Sequence, residues 1–316
     1  MGPSPLLVGM DVAKATLDIA VRPTAETWSV SNDASGLDAL VLRLGAWAPT
    51  LIVLEAPGGS QGPLVAALVA AALPVVVVNP RHLRALAQAV GLLANTDRLD
   101  ACVIAPCAEA VKPAPRPLPD AETQALRALL VRRRQLVEMV SAERARLDTV
   151  PPRIQDAIQA HIAWLTTQIA GLDDALTRAS QTPPVWPAKD DVWQSIPGVG
   201  PVLARTMLGQ GPELGTLGPK PLAALIGVAP VNRDSGTLRG RRPVYGGRAE
   251  VRAVWSMGAL VATRHHPVIK TFDERLLAAG TAKQVALTAC MHQLLTIMNA
   301  MVRDLKPWQP QEVPSA

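Results

Sequence analysis

The chain has 316 residues, 31 Lys and Arg against 26 Asp and Glu, a net charge of +5 and a pI of about 9.4, with 49% hydrophobic residues. That balance excludes a disordered basic tail, leaves room for two domains with real cores, and favours a polyanionic partner. One Phe, one Tyr and seven Trp are too few for a base-stacking platform. No signal peptide is expected, and the apolar run at 66–78 is broken by Pro74 and too short for a bilayer, so a soluble cytoplasmic protein without a membrane partner is expected. Cys102, Cys107 and Cys290 have no metal-ligand spacing and read as reduced thiols.

Taken in order, residues 5–21 predict a strand with Gly9 and Asp11 inside it, then a second short strand, L-D-I-A-V. Residues 28–30 suggest a third. Asn32 and Asp33 are good N-caps for a helix running to Leu44. Leu51 to Leu54 is a buried strand, 58–72 an Ala/Leu-rich helix, and Val75 to Val78 the next strand, with a further helix from about Pro80. The order β-β-β-α-β-α-β-α predicts a mixed sheet with helices on its faces, an α/β domain over 1–110.

K-P-A-P-R-P-L-P at 112–119 is a proline-rich linker. Beyond it Leu126, Leu129, Val137, Val140 and Leu147 recur at helical spacing. Ile154, Ile158, Ile162, Leu165, Ile169, Leu172 and Leu176 then approach a heptad seam. Residues 111–185 therefore predict a helical hairpin, packed on its own domain or dimerising as a coiled coil. A third, all-α region spans 186–310, with a disordered tail over 311–316. It opens with S-I-P-G-V-G-P-V-L-A, similar to the hairpin of a helix-hairpin-helix element, and closes with helices at about 249–265 and 282–305. His265 and His266, before a proline, suggest a helix C-cap rather than metal ligands.

An unpaired carboxylate on a buried strand is costly, so acids there imply a ligand. Asp11 interrupts one apolar run and Glu55 ends another; Asp97 and Asp100 stand three apart on a predicted helix. Together they suit a magnesium or manganese ion of the kind that serves phosphoryl transfer. Asp18 and Asp33 read as bystanders. Ser235 lies in D-S-G, in what reads as an irregular loop, among Arg233, Arg239, Arg241, Arg242, Arg248 and Arg252. A serine needs a base or metal to become a nucleophile, and no histidine is near in sequence. The local alternative is a turn serine beside a phosphate-binding patch. Tyr245, in the same loop, is a competing nucleophile.

G-M-D-V-A-K, L-E-A, V-V-N-P-R and T-D-R-L-D-A resemble the amino-terminal half of the DEDD transposases of the Piv/MooV class, the recombinases of the IS110 insertion sequences. S-I-P-G-V-G-P-V-L-A, L-I-G-V-A-P, S-G and L-L-T-I-M-N-A-M resemble their carboxyl-terminal half. The resemblance implies a RuvC-like, ribonuclease-H-type fold, a coiled-coil insertion and a helical transposase domain. It implies Asp11, Glu55, Asp97 and Asp100 as a metal-binding tetrad and Ser235 as the nucleophile that forms a 5′-phosphoserine. It further implies a site shared between protomers of a dimer or tetramer, and a bridge RNA pairing with target and donor DNA. Arg98, within T-D-R-L-D-A, joins the six arginines as an expected nucleic-acid contact. Two positions depart from the pattern: Asn95 stands where lysine is usual before T-D-R, and Thr281 follows Gly280 where G-K is usual. The alternatives are a RuvC-like nuclease for branched DNA, and a nucleic-acid-binding protein impaired in catalysis.

Overall fold

The computed structural model describes residues 5–55, 61–89, 101, 104–106, 109–110, 113, 120–181, 186–232, 234–235, 238–240 and 242–309, with backbone only at 81, 82, 86, 238 and 239. Asp97, Arg98, Asp100, Asn95, Arg233, Arg241, Cys102, Cys107 and the tail lie outside the described residues. The chain divides into two compact units, Met1–Leu118 and Pro119–Ala316.

In the first unit, β1 (Leu7–Val12), β2 (Thr16–Arg22), β3 (Thr27–Ser31), β4 (Leu51–Glu55) and β5 (Val75–Val78) form one sheet in the order β3-β2-β1-β4-β5. The first three are antiparallel, while β4 runs parallel to β1 and β5 parallel to β4. This is the RuvC-like, ribonuclease-H-type arrangement that the resemblance implies. Burial on both faces explains why β1 and β4 read as near-continuous apolar runs. On one face Val8, Met10, Val12, Ile52 and Leu54 pack with Leu40 and Leu44 of α1 (Ala34–Trp47) and Leu64 and Leu68 of α2 (Gly62–Ala70). Asp33 caps α1 as expected: its carboxylate accepts from the Gly36 N–H at 2.9 Å, and that bond holds its pKa low.

The opposite face carries Leu7, Leu51 and Val53, covered by Leu83 of α3 (Pro80–Ala89) and by Ile104. Residues 101, 104–106 and 109–110 are helical. They press onto the sheet at Gly9, where an added Cβ would stand 2.5 Å from the Ala105 nitrogen and 2.8 Å from the Ala101 carbonyl oxygen. A glycine inside a strand marks such a close approach of backbones.

Among its described residues the second unit is helical apart from one small ribbon. α4 (Ala121–Leu147) and α5 (Pro152–Ser180) make the expected hairpin. Its outer half closes on Leu136, Val140 and Leu165, with Ile162, Ile169 and Leu172 packed against them. Leu126, Leu130 and Leu176 at its root join the main core. The first helix therefore buries Leu130 and Leu136, not the expected Leu129 and Val137: Leu129 is only partly buried and Val137 is 38% exposed. A shift of one residue rotates a helix face by about 100°, more than an apolar stripe alone fixes.

α6 (Trp186–Gln194), α7 (Pro201–Gln210), α8 (Pro219–Ile226), α9 (Ala249–His265), α10 (Pro267–Ala278) and α11 (Lys283–Asp304) complete the unit. α10 was not anticipated, because His-His-Pro read as a helix end; proline at the first helical position is equally a start signal. His266 accordingly caps the next helix. Its ring nitrogen accepts the Ile269 N–H at 3.4 Å, and burial pushes its pKa down, keeping it the neutral acceptor that this role requires. α11 is long and apolar enough to cross a membrane by length and composition. Its Cys290, Leu294, Met298 and Val302 instead line the core with Trp193 and Trp255, whose indole N–H groups donate to the Met298 and Met291 carbonyls. Burial is the main cause that pushes the Cys290 thiol up to about 12, so it is an inert core residue.

Trp255→Ala removes a fully buried ring together with its indole hydrogen bond to the Met291 carbonyl. We expect a loss of about 3–5 kcal/mol in chemical denaturation of the second unit. A change below about 1 kcal/mol would show that the pocket collapses around the deletion.

Candidate active site

Asp11 and Glu55 are placed by strand register. Gly9 pairs with Val53 and Met10 with Leu54 across β1 and β4, so the next step sets Asp11 beside Glu55. Alternation puts both on the face of Leu7, Gly9, Leu51 and Val53. Neighbouring strands lie about 4.8 Å apart, which brings two half-buried carboxylates to one level at the carboxyl ends of parallel strands. Asp11, anticipated inside its strand, is the penultimate residue of β1. In open α/β sheets ligands gather at that end.

Asp97 and Asp100 fall outside the described residues, so their half of the tetrad stays an expectation. The nearest fixed point is Ala101, the sequence neighbour of Asp100, which is buried against Gly9. Among the described residues no three potential metal ligands converge. The chemistry of the pair still fits a hard divalent cation, since both donors are carboxylate oxygens.

Asp18, set aside in the sequence, stands directly opposite Asp11 on β2 and therefore on the same face. It accepts a hydrogen bond from the Ser29 hydroxyl on β3. The signal was available, because Asp11 and Asp18 are symmetric about the A-K-A-T turn that joins the strands. Like charges directly opposed on a sheet are destabilising. This row thus holds more negative charge than packing alone would favour.

Ser235 occupies a regular element after all. Asp234–Ser235 (β6) pairs antiparallel with Leu238–Arg239 (β7), and Pro230 bridges Val244 while the Val231 N–H donates to the Pro243 carbonyl at 3.0 Å. Among the described residues the expected irregular loop is a two-stranded ribbon. Ser235 is exposed near the tip, and Tyr245 is exposed near the root.

The arginines divide by where their donors point. Arg242 is exposed, 3.7 Å from Asp234. Arg248 grips Glu213 with two bonds of 2.6 and 2.8 Å and also donates to the Gln210 carbonyl. Arg252 donates to the Gly246 carbonyl at 2.7 Å and the Gly227 carbonyl at 3.4 Å. Arg239 is described through its backbone, on β7, while Arg98, Arg233 and Arg241 lie outside the described residues. The helix-hairpin-helix-like turn between α6 and α7 has a packing reason of its own. Gly198, at φ +94°, would place a Cβ under 3.0 Å from the Ala262 backbone of α9.

A model for DEDD transposases of the IS110 type matches residues 8–151, and one for transposases of the IS116/IS110/IS902 family matches residues 190–274. The two lie in order over well over half of the chain. The chain belongs to the IS110 family of transposases. It is thus a DNA recombinase of the insertion-sequence class. It is similar to the pilin gene-inverting protein of Moraxella lacunata, 27% identical over 95% of this chain and 97% of that protein, and to its counterpart in Moraxella bovis, 26% identical over the same shares. It is also similar to an uncharacterized 42 kDa protein of the insertion element IS900 of Mycobacterium paratuberculosis, 32% identical over 39% of this chain and 31% of that one. Among solved structures, T. thermophilus RuvC in complex with a Holliday junction substrate aligns at 16% identity with a TM-score of 0.26, covering 36% of this chain and all of that chain.

Proposed function

We propose that this IS110-family transposase cuts and rejoins target and donor DNA by metal-assisted serine transesterification, guided by a bridge RNA. The observation that carries the reading is the pairing of Asp11 and Glu55 at one level and on one face, at the carboxyl ends of β1 and β4. With Asp97 and Asp100 they would hold magnesium or manganese, which supplies charge neutralisation at the scissile phosphate. The Ser235 Oγ attacks phosphorus, the bond to the 3′-oxygen breaks, and the serine proton is balanced by the one the 3′-hydroxyl takes up. The product is a 5′-phosphoserine. Attack by a 3′-hydroxyl from the exchanged strand reverses the step and frees the serine, so no nucleotide cofactor is consumed.

Ser235 is exposed on β6 next to Asp234, which lies 3.7 Å from the Arg242 guanidinium. A serine in that setting needs an activating group from elsewhere. This supports delivery of Ser235 to an acid site, in a homodimer or homotetramer where one protomer's serine serves another's acids. The hairpin α4–α5, with Ile154 and Trp164 exposed, offers the element for assembly. An RNA–DNA duplex would be held through backbone and shape, which suits a basic chain with few aromatic residues. Such an enzyme works in the cytoplasm, on the nucleoid.

The test is adduct trapping on a denaturing gel with magnesium, target and donor DNA and the flanking RNA. A protein–DNA adduct is expected from the parent and not from Ser235→Ala, and it should require the RNA. Cleavage that survives Ser235→Ala without an adduct would identify a hydrolytic nuclease instead.

A further inference from the structure

The ribbon that carries Ser235 leaves the helical core and returns to it at one pinch. It departs at Gly227, the αL cap of α8, and returns through Gly246 and Gly247, all at positive φ. An added Cβ at Gly227 would fall under 3.0 Å from the Gly246 carbonyl oxygen and from the Arg252 guanidinium. One at Gly247 would meet the Gly227 backbone equally closely. The two strands therefore touch backbone to backbone, and only glycine permits both that contact and those φ values.

A single guanidinium nitrogen closes the pinch. Nη1 of Arg252, in the first turn of α9, donates to Gly246 on the returning strand and to Gly227 on the departing one. Arg248 anchors the chain just beyond the pinch. Its N–H donates to the Leu225 carbonyl at 2.9 Å, and its guanidinium holds Glu213 and the Gln210 carbonyl between α7 and α8. Both side chains donate inward, Arg252 through Nη1 and Arg248 through Nη1 and Nη2, unlike the exposed Arg242. A two-stranded ribbon is marginal in water by itself, so the tip takes its position from the root.

We propose that Arg252 and Arg248 are positioning residues that clamp the root of this ribbon and set where the Ser235 hydroxyl is delivered, rather than contacts to nucleic acid. The proposal rests on the reading of Ser235 as the nucleophile. It separates two roles that composition merges, since all six arginines between 233 and 252 carry the same charge.

The test compares full-length Arg252→Met, Arg248→Met and Arg242→Ala with the parent. Three readouts are used: amide hydrogen exchange over 228–246, the salt dependence of affinity for a plain DNA duplex, and adduct yield. Arg252→Met and Arg248→Met are expected to speed exchange in the ribbon by about tenfold or more and to cut adduct yield at least as far. Neither should alter the salt slope beyond the parent's error. Arg242→Ala should leave exchange unchanged and lower the slope by about one. If Arg252→Met does not fold, Arg252→Lys, which keeps a donor but loses the planar fork, is read in the same three assays with smaller shifts. A slope lowered by about one in Arg252→Met with exchange unchanged would overturn the clamp and make Arg252 a phosphate contact. A loosened ribbon with full adduct yield would overturn positioning. A parent protein that forms no adduct would overturn the reading of Ser235 itself, and with it the delivery role, whatever exchange reveals about the root.

Discussion

Asp11→Asn and Glu55→Gln will each abolish strand cleavage and adduct formation, by about a thousandfold or more, since charge stabilisation at a metal-assisted phosphate is worth several kcal/mol. The amides keep the volume and the strand pairing but lose the charge that balances a divalent cation. The folded state should not suffer. Asp11 is opposed to Asp18 across β1–β2 and stands beside Glu55, so removing one negative charge from this row relieves repulsion. Without metal, Asp11→Asn is therefore expected to melt at or above the parent's temperature. The parent should gain thermal stability on adding magnesium, because an ion that binds only the folded state stabilises it. Asp11→Asn should lose that gain. Cleavage at parental rate in either variant would remove the acid pair from the mechanism. A retained magnesium response would place the ion elsewhere.

Gly9→Val should be nearly as damaging, through packing. The added Cβ would stand 2.5 Å from the Ala105 nitrogen and 2.8 Å from the Ala101 carbonyl oxygen, both backbone atoms that cannot swing aside. The helical residues must lift off the sheet. Overpacking of this kind costs about 1–3 kcal/mol or more, which for a unit of this size lowers the melting temperature by roughly 5–20 °C. Ala101 directly follows Asp100, so displacement should also suppress cleavage beyond what stability explains. Gly45→Ala on α1 is the control: its added Cβ meets nothing within 4 Å, and the change is expected to be neutral or slightly stabilising. Unchanged melting and activity in Gly9→Val would mean that the helical residues are not fixed on β1.

Much of the site's inventory was legible as residue types. Asp11 and Glu55 stood out because a carboxylate on a buried strand is costly without a partner. Ser235 stood out through its arginine-rich surroundings and the family resemblance. The hairpin was legible because two long apolar stripes at helical spacing have few other ways to be buried. Its facing residues were not, since Leu129 and Leu130, or Leu136 and Val137, are equally apolar neighbours and only the partner helix selects between them.

What the chain determined by itself was local: the strand and helix order of the first unit, the Asp33 cap, and which side chains are candidates to bind metal or attack phosphate. These depend on periodicity and functional groups, which each residue carries wherever it is placed. Tertiary structure decided which of those groups meet. Register set Asp11 beside Glu55 and brought Asp18 opposite Asp11. The approach of Ala101 and Ala105 gave Gly9 its purpose. Antiparallel pairing made a ribbon of the Ser235 loop, and the pinch at Gly227 and Gly247 turned Arg252 from one more positive charge into a strut. A hydrogen bond or a clash is a property of two positions distant in sequence, and the pattern along one segment does not encode the other partner.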